Sequence, residues 1–270
     1  MNHICTQAYA APGRGPRNVS RLFGVGRFAG LGVAWLLTTV AWAGCDDPPA
    51  PGVNWLGCDK TAAVLNGADL RGAILTRAKL AGANFSQARL ADADLGSADL
   101  AGAQFQGASL AGVYLVGATL EGANFAAANA AGARLGRVRA RGSTWARANL
   151  AGANAVSGDF SRADFTGAQM QSAKFEQATL ISVGLAGANL TEASLAGSDL
   201  EDANLSGAVL HKARLEKTSL IGANLNAAVL TFANLGGADL TRATLEEAKL
   251  GSATWTDRRR CRSSSLGSCD

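Results

Sequence analysis

Five arginines fall within the seventeen residues RLGRVRARGSTWARANL: Arg134, Arg137, Arg139, Arg141 and Arg147, with Trp145 among them. Guanidinium groups interleaved with an aromatic ring can hold phosphates while the ring stacks a base, so this stretch is a first candidate for binding chemistry. Cys45, Cys58, Cys261 and Cys269 are a second candidate, as disulfides or as thiolate ligands of zinc. His211 could act as a base, but catalysis needs a nucleophile, acid or metal placed beside it, and it is the one histidine of residues 44–270. Glu201–Asp202 and Glu246–Glu247 are adjacent carboxylates with no partner base, and they read as solvated charge. Gly-x-x-Ala spacings recur without the Lys-Ser/Thr of a phosphate loop. The expectation is a chain that is not an enzyme, with no catalytic residue, no cofactor and no metal.

What positions these residues is a repeat. From 65 to 255 every fifth residue is a centre, 39 in succession without insertion: 27 Leu, 6 Phe, 2 Trp, 1 Met and 3 Ala. Two residues before each centre, alanine occupies 32 of the 39 places. The exceptions are Val113, Val138, Ser143, Gly158, Val183, Ser198 and Thr218. A period of five fits neither the 3.6 of a helix nor the 2 of a strand. It needs a backbone that turns a corner in every unit and sends one large and one small side chain inward.

This pattern resembles the pentapeptide-repeat family, A-(D/N)-L-x-x. ANL stands at 188–190, 203–205, 223–225 and 233–235, and ADL at 68–70, 93–95, 98–100 and 238–240. The resemblance covers Thr61 to Trp255. It implies an all-β solenoid, a right-handed quadrilateral β-helix of about ten coils with four units per coil. The residues support four walls independently: at intervals of twenty stand Phe85, Phe105, Phe125, Trp145 and Phe165, five aromatics in one expected column. Such a rod is stabilised by neighbour-on-neighbour stacking and needs covered ends.

The expected organisation is a signal peptide over 1–43, an N-terminal cap over 44–60, the β-helix over 61–255 and a C-terminal cap with a cysteine pair over 256–270. Arg14, Arg17, Arg21 and Arg27 precede the apolar run from Phe28 to Ala43, which ends in Ala-Trp-Ala. That order of basic, apolar and small residues is an export signal. Its basic part is long, which suggests a translation start further in. An uncleaved anchor is the weaker reading, because the run falls short of the roughly 20 residues of a membrane span. Cys45 follows Trp-Ala-Gly and resembles a lipoprotein processing site, with Trp42 where an aliphatic residue is usual. The flanks W-x-G-C and W-T-D…C…S-x-G-x-C are similar to those of exported family members, which implies Cys45–Cys58 and Cys261–Cys269 as cap disulfides. A lipidated Cys45 could not pair.

Some members of the family imitate duplex DNA, bind DNA gyrase and protect it from quinolones. That role needs a strongly negative surface. Residues 61–255 carry 16 Lys+Arg and 16 Asp+Glu, and residues 44–270 carry 21 of each. The overall +4 comes from the four arginines of 1–43. The reading favoured is a structural or protein-interaction scaffold in the periplasm or outside the cell, its partner a protein or other envelope component, with nucleic acid disfavoured. Membrane contact is expected only through Cys45 lipidation or a retained signal, and a second copy of the chain is another partner that four regular walls could meet. The arginines all fall on outward positions of the repeat, while Trp145 falls in the inward column. They read either as solvated drift or as an anion- or partner-binding patch.

Overall fold

Each five-residue unit repeats one hydrogen-bonding scheme, as the unit around Phe85 illustrates. The computed structural model describes residues 44–270; the expected signal segment lies outside the described residues. The Phe85 amide donates to the Gln104 carbonyl at 2.7 Å, the Gln87 amide to Gln106, and the Asn84 amide back to Ala63. The Ala88 amide closes a four-residue turn on the Phe85 carbonyl at 2.9 Å. The fifth amide, Ser86, is taken by the Asn84 side chain at 3.0 Å. Since backbone groups left unpaired are costly, this last bond explains the preference for Asn or Asp before each centre. The same side-chain-to-amide bond recurs from Asn54 to Asp239. The Asn or Asp of the A-(D/N)-L pattern thus caps an amide of its own unit.

Parallel bridges join each wall to the next coil at an interval of twenty, from Asn54↔Ile74 to Asn234↔Thr254. The result is a right-handed quadrilateral β-helix. At strand spacing of about 4.8 Å its ten coils span roughly 48 Å. We number its walls by their inward centres: wall 1 runs from Leu65 to Leu245, wall 2 from Leu70 to Leu250, wall 3 from Trp55 to Trp255 and wall 4 from Leu80 to Leu240. The corners follow from the turns. The second residue after each centre from Leu65 to Leu250 has positive φ, as at Gly122 (63°) and Arg137 (57°), the position a type II turn assigns to glycine.

The core is apolar along its length, with the inward Leu, Phe and Ala buried except near the ends, where Ala63, Ala68, Leu240, Ala243 and Leu245 are half-buried. The expected aromatic column stacks on wall 1. Phe85 and Phe105 lie 4.8 Å apart, Phe105 and Phe125 4.5 Å, and Phe125 and Trp145 3.9 Å, all nearly parallel. Phe165 follows at 6.0 Å. Phe160 from wall 4 meets Trp145 and Phe165 edge-on, and its ring passes so close to Gly158 that a Cβ there would stand 2.6 Å from it. Gly158 and the small centres Ala140 and Ala155 thus leave room that Phe160 takes up.

The repeat geometry starts ahead of Thr61. Asn54 and Asp59 already form bridges, and the Lys60 amide bonds Lys79 at 2.8 Å. Lys60 holds a centre position in the backbone at the rod's end, half-buried, with Nζ 4.4 Å from the buried Trp55 ring. The Cys45–Cys58 disulfide ties the lead-in segment to this coil. At the other end residues 256–270 fold back antiparallel, Thr254↔Arg260 and Lys249↔Leu266, and Cys261–Cys269 closes the return.

Candidate functional site

Geometry divides the five arginines. Arg139 and Arg141 are engaged on wall 4 and its corner: Arg139 bonds Thr119 and lies 3.8 Å from Glu121, while Arg141 pairs with Asp159 at 2.6 Å. Burial works to raise the Asp159 carboxyl, but the Ser161 hydroxyl and the Arg141 guanidinium outweigh it and hold it below the usual range. Arg147 stands apart on the corner after wall 1, its stem packed near Gly167. Arg134 and Arg137 belong to wall 3 and its corner, exposed and without an ion pair among the described residues. Trp145 is fully buried and offers no stacking platform.

Wall 3 supplies the neighbours that sequence spacing hid. Arg77, Ser97, Gly117 and Arg137 form one corner column, each amide bonded to the coil after it, as Arg77 to Gly96 at 2.9 Å and Gly117 to Gly136 at 3.0 Å. Two exposed arginines therefore bracket two small residues across three coils. Beside them Tyr114 is bridged between Asp94 and Arg134. Its ring lies over Gly96, where a Cβ would come within 2.9 Å of it. Together Thr76, Arg77, Asp94, Tyr114, Val116 and Arg137 line an open groove of about 540 Å³. Ile74 and Leu56, both exposed, extend the same wall toward the N-terminal end. The interval of sixty between Arg77 and Arg137 was readable once four walls were known, but nothing in the sequence singled it out.

The remaining candidates do not assemble into chemistry. His211 bonds Thr231 Oγ1 at 2.7 Å and meets the edge of Phe232. Glu201–Asp202 and Glu246–Glu247 lie on corners, and among the described residues no three His, Cys, Asp or Glu gather as metal ligands. The two cysteine pairs sit at opposite ends of the rod, each in its own disulfide. A thioether at Cys45 would exclude the first bond, so lipidation and this cap are mutually exclusive states of one sulfur.

The sequence profile of pentapeptide repeats matches in eight copies, over residues 57–90, 78–113, 88–125, 103–139, 146–180, 185–220 and 223–254. The chain belongs to the pentapeptide-repeat family. Among solved pentapeptide-repeat structures it is similar to HetL, involved in heterocyst differentiation regulation, from the cyanobacterium Nostoc sp. strain PCC 7120. The two are 31% identical, over 78% of this chain and 92% of HetL, with a TM-score of 0.35. Rfr23 from the cyanobacterium Cyanothece 51142 is 29% identical over 40% of this chain and 63% of its own, TM-score 0.26. A trypsin-treated form of QnrB1, a plasmid-mediated fluoroquinolone resistance protein, is 20% identical over 54% of this chain and 77% of its own, TM-score 0.33. No curated protein matches the chain.

Proposed function

We propose that this pentapeptide-repeat protein is a non-catalytic scaffold of the cell envelope that presents wall 3 to a protein partner. One contrast carries the reading. On the neighbouring wall 4 Arg139 and Arg141 are engaged by Thr119, Glu121 and Asp159, whereas Arg77, Arg134 and Arg137 gather around the groove with no ion pair among the described residues. Charge left uncompensated on a wall that also exposes Tyr114 and Ile74 suits recognition. Export is supported by the residue order of 1–43 and by disulfides at both ends, which persist in oxidising compartments.

A gyrase-directed DNA mimic has no observation in its favour here, since 21 basic residues balance 21 acidic ones over residues 44–270. The test is a photo-crosslinking residue at Val116, expressed in a host with an intact envelope. A specific adduct in the envelope fraction, absent when the crosslinker sits at Asn129 on wall 2, supports the proposal. Unprocessed protein that stays in the cytoplasm and inhibits gyrase supercoiling overturns it. Thiol titration separates the two states of Cys45: none free means two disulfides, and one free with a lipid mass shift means a lipoprotein.

A further inference from the structure

Resting on the scaffold reading, we infer that the wall 3 groove binds an extended acidic peptide segment, with carboxylates four residues apart seated on Arg77 and Arg137. The spacing comes from the fold. Arg77 and Arg137 are three coils apart in one corner column, which at strand spacing of about 4.8 Å separates them by roughly 14 Å. An extended chain advances about 3.4 Å per residue, so four residues cover the same distance. Ser97 and Gly117 keep the floor between them low, and the place a Cβ would take on Gly117 has nothing nearer than the Ser97 hydroxyl at 3.6 Å.

The middle of the groove rejects a uniform polyanion. Asp94 lines it there, and one oxygen, Oδ1, accepts the Gly96 amide at 2.8 Å. Its other oxygen takes no hydrogen bond from the described residues, so it calls for a donor. A peptide supplies that donor as a backbone amide between two acidic side chains. A glycan with a carboxylate on every unit would set an anion against Asp94. Tyr114 and Val116 offer a small apolar surface to the central side chain, and the Tyr114 hydroxyl has no partner among the described residues. Arg134, on the next rung after Tyr114, adds positive potential from the side without lining the slot.

The probe is the blocked peptide Glu-Thr-Val-Thr-Glu carrying a fluorophore, added to the full oxidised chain and followed by anisotropy. Protection of Tyr114 from nitration, mapped by mass, places the peptide. Saturable binding that weakens about tenfold in Arg77→Ser/Arg137→Ser is expected, the scale of two charge-assisted contacts on an open surface. The Gln-Thr-Val-Thr-Gln peptide should weaken as much, and Arg139→Ser/Arg141→Ser should change nothing. Lack of saturation up to about 1 mM, a millimolar Kd being near 4 kcal/mol of binding, overturns the inference. So does equal binding by the Arg77/Arg137 variant, or better protection of Tyr114 by an oligogalacturonate than by the peptide. These failures leave the Val116 crosslink untouched, so the scaffold reading is judged separately.

Discussion

The indole Nε1 of Trp145 donates to Ser143 Oγ at 2.8 Å, and Ser143 in turn donates to the Ala140 carbonyl at 2.6 Å. Both side chains are buried. Tryptophan is the one aromatic of its column that brings a polar hydrogen into the core, and the alanine of the repeat is replaced by a hydroxyl where that hydrogen arrives. Ser143→Ala should leave the indole unpaired and cost about 1–3 kcal/mol. Adding Trp145→Phe removes the orphan donor, so the double variant should recover part of the loss. Urea unfolding of the four proteins of this cycle checks it; additive losses would dismiss the coupling.

The acceptor before each centre makes a second, separable prediction. Asn124 Oδ1 accepts the Ala126 amide at 3.0 Å. Asn124→Ala should cost about 0.5–1.5 kcal/mol, the net worth of one hydrogen bond, while Asn124→Asp should be nearly silent. At wall 4, Thr179→Ala removes no such bond and should cost less than Asn124→Ala. Melting temperatures of the three variants under one buffer decide the matter.

These two bonds show where the sequence was legible and where it was not. Period five with inward Leu and Ala, and the interval of twenty that aligned Phe85 to Phe165, follow from side-chain size alone, and the rings stack as that alignment requires. Asn and Asp resisted the same reading because their role is a bond to backbone, which no spacing between side chains reports. The corner conformation was hidden likewise: Arg137 and Gly122 share a positive φ, yet one is bulky and one is not. The groove was hidden for a third reason, since Arg77 and Arg137 are joined by topology and by no motif. The expected start of the β-helix at Thr61 fell short for a fourth reason: Lys60 is a charged residue at a centre position, tolerated at the rod's end with its Nζ 4.4 Å from the Trp55 ring.

Acid should weaken the walls in a defined window. Hydrogen bonding from Arg71 holds the Asp69 carboxyl down at about 2, and the Thr61 and Thr241 hydroxyls hold Asp59 and Asp239 below their ordinary value. A carboxyl whose folded pKa is depressed stabilises the fold above its unfolded value near 3.9 and loses that contribution as pH falls through the folded value. Melting temperature should therefore be level above about pH 5 and decline from there toward pH 2. Asp69→Asn should flatten part of the decline. A curve that rises on acidification would contradict the assignment.

Corner strain predicts opposite effects from opposite substitutions. Gly132 has φ of 67° and nothing within 4 Å of where a Cβ would stand, so Gly132→Ala adds no clash but places a Cβ in the left-handed region, at about 1 kcal/mol. Ala127, at 55°, already bears that strain. Ala127→Gly should relieve it against the greater entropy of glycine, for a gain between zero and about 1 kcal/mol. Equal losses at both sites would show that the corners do not control stability.

The C-terminal return should govern fraying rather than the middle of the rod. A Cβ on Gly251 would stand 2.7 Å from the Ser263 carbonyl, which is backbone and cannot swing aside. Gly251→Ala should push residues 256–270 off the last coil, at about 1–3 kcal/mol of overpacking. Cys261→Ser/Cys269→Ser should loosen the same segment, because the Arg259 guanidinium holds the Cys269 carbonyl only while the chain returns. Coils couple through nearest neighbours, so amide exchange should accelerate at Leu250 and Ala253, whose bonding runs into or beside this segment, while Trp145 stays protected. Uniform acceleration along the whole rod would mean instead that it unfolds as one unit and that the cap acts on all of it.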